Sequence, residues 1–264
     1  MSNPQGTPIW YELMTDAPDA AEAFYGPVAG WTFGAPPGGG APDYRMFTAP
    51  GGAGVGGVMK APDGASFAPL WAVYFGVDDV DAAARRVTDL GGSLHMEPQD
   101  IPGVGRFAFA ADPQGALFYL MRGFSEEDST SFAPMRTGHC SWNELVTSDQ
   151  GAALDFYADL FGWRKTGAMP MGGMGDYTFF GDGETEMLGA MMDAPQPGTP
   201  PFWNFAFTVA DIDAAKEAVE AGGGTVRMGP AELPDNSGWL IQVTDPQGAR
   251  VMFTGPRAEA AASA

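Results

Sequence analysis

The stretch Trp10–Trp31, WYELMTDAPDAAEAFYGPVAGW, returns in the second half of the chain as Trp142–Trp163, WNELVTSDQGAALDFYADLFGW. Repetition on this scale constrains the fold more than any other feature, because each copy must build the same supersecondary unit. The match continues beyond the opening. Tyr44 aligns with Tyr177, VGGVM at 55–59 with LGAMM at 188–192, and Trp71 with Trp203. VDDVDAA at 77–83 aligns with VADIDAA at 209–215, Gly91-Gly92 with Gly223-Gly224, Pro98 with Pro230, and DPQG at 112–115 with DPQG at 245–248. The spacing holds to within one residue over a whole domain, which is the mark of internal duplication.

Each copy reads as two similar pieces. IWYELMT at 9–15 alternates like a strand, with Trp10, Glu12 and Met14 on one face and Tyr11, Leu13 and Thr15 on the other. A helix is expected from Pro18 to Val28, with Asp16 as its cap and Gly30-Trp31 ending it and beginning the next strand. Ala35–Ala41 reads as a loop, and strands follow at Tyr44–Thr48 and Val55–Met59. After an excursion at 60–69, a strand at Leu70–Val77, a helix at Val80–Leu90 and strands at Ser93–Glu97, Phe107–Ala110 and Ala116–Met121 repeat the order. DPQG supplies a tight turn. Residues 9–60 and 70–121 are therefore both βαβββ units, and the second half repeats them.

The expected organisation is a domain over residues 5–123, a linker over 124–136, a second domain over 137–257 and a disordered tail over 258–264. The chain has 33 acidic against 13 basic residues, a net charge of -20. Such a surface repels a phosphate backbone, and no basic stripe offsets it, so nucleic acid is not expected as a partner. No run approaches the roughly 18 apolar residues of a membrane span. MSNPQGTP lacks the basic start and apolar core of a signal peptide, and Cys140 is the lone cysteine, so a cytoplasmic location is expected.

The opening strand with D-x-x-x-A-x-x-FY-x-x-x-x-GW, the VDDVDAA crossover, the paired glycines and the closing DPQG together resemble the vicinal oxygen chelate superfamily, the glyoxalase, bleomycin-resistance and dioxygenase group. The closer resemblance is to its two-domain glyoxalase-like proteins of the hydroxylase or antigen type. It implies an α+β fold of tandem domains, in each of which two βαβββ units form a cupped, eight-stranded mixed sheet around a cavity. It also implies that catalytic members hold a divalent metal there through His, Gln or Glu. Carried over by position, the opening-strand ligand falls on Trp10 and Trp142, the crossover ligand on Ala72 and Asn204, and the final carboxylate on Tyr119 and Met252. None of these sets supplies the lone pairs a metal needs. The expectation is no metal and no cofactor, and classical metal-dependent chemistry of this superfamily is not expected.

Strand alternation places Val73, Phe75 and Val77, like Phe205, Phe207 and Val209, under the helices. The opposite face, with Ala72, Tyr74 and Gly76 or Asn204, Ala206 and Thr208, lines the cup, and the family register turns Trp10, Glu12, Trp142 and Glu144 to the same side. A carboxylate beside an indole in an apolar pocket must be paired or shift its pKa upwards. Glu12 and Glu144 are therefore the candidate catalytic residues, as acceptors from a ligand or as general bases. The alternative is that each ties down a backbone N–H, an arginine or a tyrosine in its own domain. Tyr44 and Tyr177 could hydrogen-bond them or serve as core packing, and Asn204 can both donate and accept. The candidate ligand-binding set is Trp10, Glu12, Tyr44, Tyr74, Tyr119, Trp142, Glu144, Tyr177, Asn204 and Met252. Arg106 and Trp239 follow matched glycines and could supply a cation and a stacking surface, or serve surface and packing roles. His139 could approach Glu144, or sit exposed at a domain boundary.

Three functions follow. The first is metal-free binding of a small hydrophobic or aromatic molecule by a monomer or homodimer. The second is an enzyme, either of glyoxalase or dioxygenase type with displaced metal ligands or a metal-free acid–base catalyst using a glutamate. The third is a non-catalytic protein-interaction scaffold.

Overall fold

The computed structural model describes residues 3–36, 43–61, 68–182, 187–234 and 236–258. The chain opens with β1 (Pro8–Thr15), α1 (Pro18–Ala29), β2 (Thr32–Gly34), β3 (Tyr44–Thr48) and β4 (Gly54–Lys60). The next βαβββ unit is β5 (Leu70–Gly76), α2 (Val80–Asp89), β6 (Ser93–Ile101), β7 (Gly105–Ala111) and β8 (Leu117–Gly123). The second half gives β9 (Cys140–Thr147), α3 (Gln150–Phe161), β10 (Arg164–Pro170), β11 (Asp176–Gly181) and β12 (Met187–Asp193), with a 3-10 turn at Gly172–Met174. It closes with β13 (Phe202–Thr208), α4 (Ile212–Ala221), β14 (Thr225–Glu232), β15 (Trp239–Thr244) and β16 (Arg250–Gly255).

Two mixed eight-stranded sheets result, ordered β2-β3-β4-β1-β5-β8-β7-β6 and β10-β11-β12-β9-β13-β16-β15-β14. In both, the first strand of each unit runs parallel to the last, as in β1·β4, β5·β8, β9·β12 and β13·β16. The fold is α+β with tandem glyoxalase-like sheets, as the repeat implies. Among the described residues no helix is long and apolar enough to cross a membrane. The expected loop at Ala35–Ala41 is described only to Pro36, the excursion at 60–69 only at its ends, and the tail only to Ala258.

Local chemistry sets the helix limits. Asp79, Asp149 and Asp211 accept backbone N–H groups at the starts of α2, α3 and α4. Asp16 does not cap α1. Ala17 stands at that position, its N–H donates to Thr15 Oγ1, and Pro18, which has no N–H to satisfy, opens the helix. Gly30 and Gly162 end α1 and α3 with φ of 71° and 82°, the left-handed geometry for which glycine carries no Cβ penalty.

The chain packs as two compact units, each drawing on both sequence halves. The first comprises Met1–Trp10, Ala72–Ser129 and Trp142–Asn204, and the second Tyr11–Trp71, Thr130–Ser141 and Phe205–Ala264. In the first unit Phe75 lies 5.1 Å from both Phe161 and Trp163 and 5.5 Å from Trp203, ring centre to ring centre. The second unit has the matching cluster: Trp31 stacks on Phe47 at 4.1 Å, and Phe207 meets Trp31 and Trp71 at 4.8 and 5.3 Å. Such ring pairs add about 0.5–1.5 kcal/mol each beyond area burial.

The DPQG turns enter these cores. Asp112 Oδ1 accepts from the backbone of Gln114, Gly115 and Ala116, while Oδ2 accepts from Tyr157 Oη of α3 at 3.2 Å. In the second unit Asp245 accepts from Gln247 and Ala249 and from Tyr25 Oη of α1 at 2.9 Å. One aspartate thus shapes a turn and anchors a helix from the other half of the sequence.

Candidate functional site

The opening strand of the second half brings a buried carboxylate into a hydrogen-bonded row, all of it inside the first compact unit. Trp142 and Glu144 share one face of β9 because strand residues two apart do. Trp142 Nε1 lies 2.8 Å from Tyr177 Oη, and Tyr177 Oη lies 2.8 Å from Glu144 Oε2. Asn204 Nδ2, from β13, lies 3.3 Å from Glu144 Oε1. Glu144 is 8% and Asn204 7% exposed, whereas Trp142 and Tyr177 are half-buried. Asn204 Oδ1 is buried without a hydrogen-bond partner.

The donors in this row are ordered. An indole N–H can only donate, so Tyr177 oxygen accepts from Trp142 and sends its own proton to Glu144. Burial pushes the Glu144 carboxyl pKa up, and the bonds from Tyr177 and Asn204 pull it partly back. Burial, followed by the neighbouring Glu144 charge, raises the Tyr177 phenol well above its ordinary value, so it remains a proton donor at neutral pH. The arrangement can accept a hydrogen bond at Asn204 Oδ1 and can hold a proton at Glu144.

The first-half copy differs. Glu12, 2% exposed, pairs in register with Gly57, and a Cβ on Gly57 would run into the phenol of Tyr44. Glu12 and Tyr44 therefore share Gly57 as a neighbour. The matching residue in the second half is Ala190, the register partner of Glu144. Asn204 corresponds to Ala72, which is fully buried, and Trp10 is half-buried.

Tyr74 and Tyr119 face each other across the β5·β8 pair, stacked at 4.1 Å and 6°, and Phe109 extends the stack at 4.4 Å. At the equivalent place in the second half Met252 pairs with Ala206, both buried. The structure thus brings together Trp142, Glu144, Tyr177 and Asn204, and separately Tyr74 with Tyr119. Phe109 and Gly57 were not singled out from the sequence. Phe109 alternates correctly on β7, and a glycine inside a strand signals close approach by another group.

Other expectations are corrected. His139 is not exposed: it is fully buried in the second unit, and its Nδ1 lies 2.5 Å from the Thr130 carbonyl oxygen. Burial lowers its pKa first, and Arg136 adds to that. Since a carbonyl only accepts, Nδ1 carries the hydrogen, and Nε2 is buried without a partner. Arg106 is held by Asp81, at 2.6 and 2.8 Å, and by Asp100 at 2.9 Å, so its charge is spent on its own surface. The Trp239 ring is covered by the Arg257 guanidinium, 3.8 Å from its centre.

The residues present do not fit the divalent metal implied by the resemblance. The positions carried over hold two tryptophans, an alanine, an asparagine, a tyrosine and a methionine. Among the described residues no three His, Cys, Asp or Glu side chains come together as ligands.

Comparison with known proteins supplies the affiliation. The description Glyoxalase/Bleomycin resistance protein/Dioxygenase superfamily matches residues 8–120 and 136–253. CFP32 of Mycobacterium bovis, which carries a glyoxylase name, is 36% identical over 250 residues, covering 93% of each chain. DnrV of Streptomyces peucetius, named an anthracycline biosynthesis protein, is 34% identical over 265 residues, covering 92% of this chain and 91% of its own. A Mn(II)-bound glyoxalase from Novosphingobium aromaticivorans shares the fold with a TM-score of 0.67 at 19% identity, covering 97% of this chain and 84% of its own. The matches cover both copies of the repeat, and the chain belongs to the glyoxalase, bleomycin-resistance and dioxygenase superfamily.

Proposed function

We propose that this protein captures a small hydrophobic or aromatic molecule without a metal, using the second-half array of Trp142, Tyr177, Glu144 and Asn204. The observation that carries the reading is Asn204 Oδ1, buried and unpartnered beside a hydrogen-bonded glutamate. A buried acceptor left unmet costs about 1–3 kcal/mol, so an occupant that donates to it would recover that free energy. Half-buried Trp142 and Tyr177 offer ring surface to a flat ligand. Two relatives, from Streptomyces peucetius and Streptomyces sp. strain C5, are named for the biosynthesis of anthracyclines. Anthracyclines are planar and polycyclic, and this supports an aromatic ligand. Tyr74 and Tyr119 would serve as a flat wall. Glu12 and Tyr44 make the first-half counterpart. The domains at 5–123 and 137–257, the cytoplasmic setting and a monomer or homodimer belong to the same reading.

A second reading has one observation in its favour. The upward shift of the Glu144 pKa moves its carboxyl in the direction that general acid–base work requires. Under that reading Asn204 and Tyr177 orient the carboxyl, and the bound molecule exchanges a proton with it.

Calorimetric titration with 2-hydroxyanthraquinone, which pairs a flat ring system with a hydroxyl donor, alongside metal analysis of the purified chain, tests the first reading. Micromolar binding by metal-free protein is the expected result. Tight stoichiometric metal, or binding only after metal is added, sinks it. Proton exchange with solvent deuterium at a bound ketone, lost in E144Q, would favour the second reading.

A further inference from the structure

Asn204 is a position at which the two copies of the site differ in polarity. Ala72, its counterpart, carries no polar side-chain atom, whereas the Asn204 amide bonds Glu144 through Nδ2 and leaves Oδ1 buried with no partner. We propose that Asn204 makes the second-half site selective for an aromatic molecule bearing a hydrogen-bond donor, a ring N–H or a hydroxyl, which Oδ1 accepts. This specificity rests on the capture reading above and adds the polarity of the ligand to it.

The orientation of the amide follows from the whole row. The Trp142 indole fixes Tyr177 as acceptor on one side and donor on the other, so the Tyr177 proton lies on Glu144 Oε2. The remaining oxygen of an ionised Glu144 can only accept, and this requires Nδ2 of Asn204, not Oδ1, to face it. Oδ1 is then turned away from the carboxylate. The charge of Glu144 thereby sets the polarity of the Asn204 amide.

A site that presents an acceptor discriminates strongly against analogues lacking the donor, because the analogue leaves a buried polar atom unpaired. The first-half copy has no amide at this place, so the expectation is one donor-selective site per chain. The row also ties selectivity to the charge of Glu144. With a neutral, donating group in its place the Asn204 amide can rotate, accept through Oδ1 and present Nδ2 instead.

Three bicyclic molecules of nearly equal shape test this: indole, with a ring N–H; benzofuran, with a ring oxygen; and indene, with neither. Each is titrated calorimetrically into the full chain as wild type, N204A and E144Q, with circular dichroism confirming the fold of each. In wild type, indole should bind about tenfold or more tighter than benzofuran, at one selective site per chain. N204A should bring the three affinities together, and E144Q should shrink or reverse the preference for indole. Equal affinities in wild type, or an indole preference that survives in N204A, would overturn the specificity while leaving aromatic capture intact. Failure of all three probes and of 2-hydroxyanthraquinone to bind would remove the capture reading and this inference together. Should N204A not fold, the isostere comparison in wild type and E144Q still decides.

Discussion

Tyr25 Oη stands 2.9 Å from Asp245 Oδ2, joining residues 220 positions apart, and Trp71 Nε1 donates to the same phenol at 3.1 Å. Because the indole only donates, the Tyr25 proton must point at the carboxylate. Tyr157 and Asp112 repeat the relationship in the other compact unit. Both phenols are fully buried, and both aspartates also bind their own turns. Tyr25→Phe removes one donor from a buried carboxylate and should cost about 1–3 kcal/mol. Asp245→Ala should cost more, since it frees the turn N–H groups as well. Urea denaturation of the single variants checks the order. A Tyr25→Phe loss equal to that of Asp245→Ala would mean the turn contacts contribute nothing.

Gly138 offers a sharper test of backbone chemistry. Its φ is 82°, its carbonyl accepts the Trp31 indole at 2.7 Å, and a Cβ there would stand 2.6 Å from Pro50 Cδ and 2.8 Å from Ala49 Cβ. Left-handed geometry costs a non-glycine residue about 1–2 kcal/mol before any collision is counted. Gly138→Ala should therefore lower stability by about 2–4 kcal/mol. For a chain of this size that is a melting shift of several degrees. Gly162→Ala, at the same φ but with open space around it, serves as the comparison and should cost only the backbone part. Equal losses in the two would remove the steric argument.

The repeat made most of the fold legible. Period-two strands, aspartate caps and DPQG turns are local signals, and the helices and strands fall within a few residues of where those signals stand. The Tyr177 to Glu144 bond is one of the two roles the sequence leaves open for Tyr177, beside core packing. The Tyr25 to Asp245 bond was not anticipated, since no local pattern names a partner 220 residues away. His139 escaped for a related reason. It sits just before β9, where sequence suggests an exposed boundary, yet the segment folds back so that Cys140 N–H reaches Ser131 and the ring reaches Thr130. Asn204 was singled out as an amide that could donate or accept at a displaced ligand position, but the sequence does not say which end of it is satisfied, because that depends on the carboxyl group of Glu144.

If the chain works without a divalent ion, chelation should leave it unchanged. A ligand at a hundred times its dissociation constant stabilises by about 2.7 kcal/mol, which would move the melting temperature by about 5–10 °C here. Dialysis against a chelator should therefore shift the melting temperature by less than about 1 °C, and adding Ni, Zn or Mn should not raise it. A shift of several degrees with any one of them would locate a metal site and end the metal-free reading.

Glu144 gives the pH dependence its sign. Burial raises its folded pKa above the ordinary carboxyl value, so the fold favours the protonated form. The stability this contributes is complete below the ordinary carboxyl range and is lost as pH rises through the raised value. E144Q fixes a neutral group of the same size and should escape that loss. The variant should thus gain on wild type as pH is raised from 5 to 8, above the ordinary carboxyl range. Denaturant melts of both proteins across that interval measure the gap. A gap that stays constant, or one that favours wild type more at pH 8 than at pH 5, would show that the Tyr177 and Asn204 hydrogen bonds outweigh burial. In that case Glu144 is an ordinary carboxylate locked in place, and the case for it as an acid or base disappears with the shift.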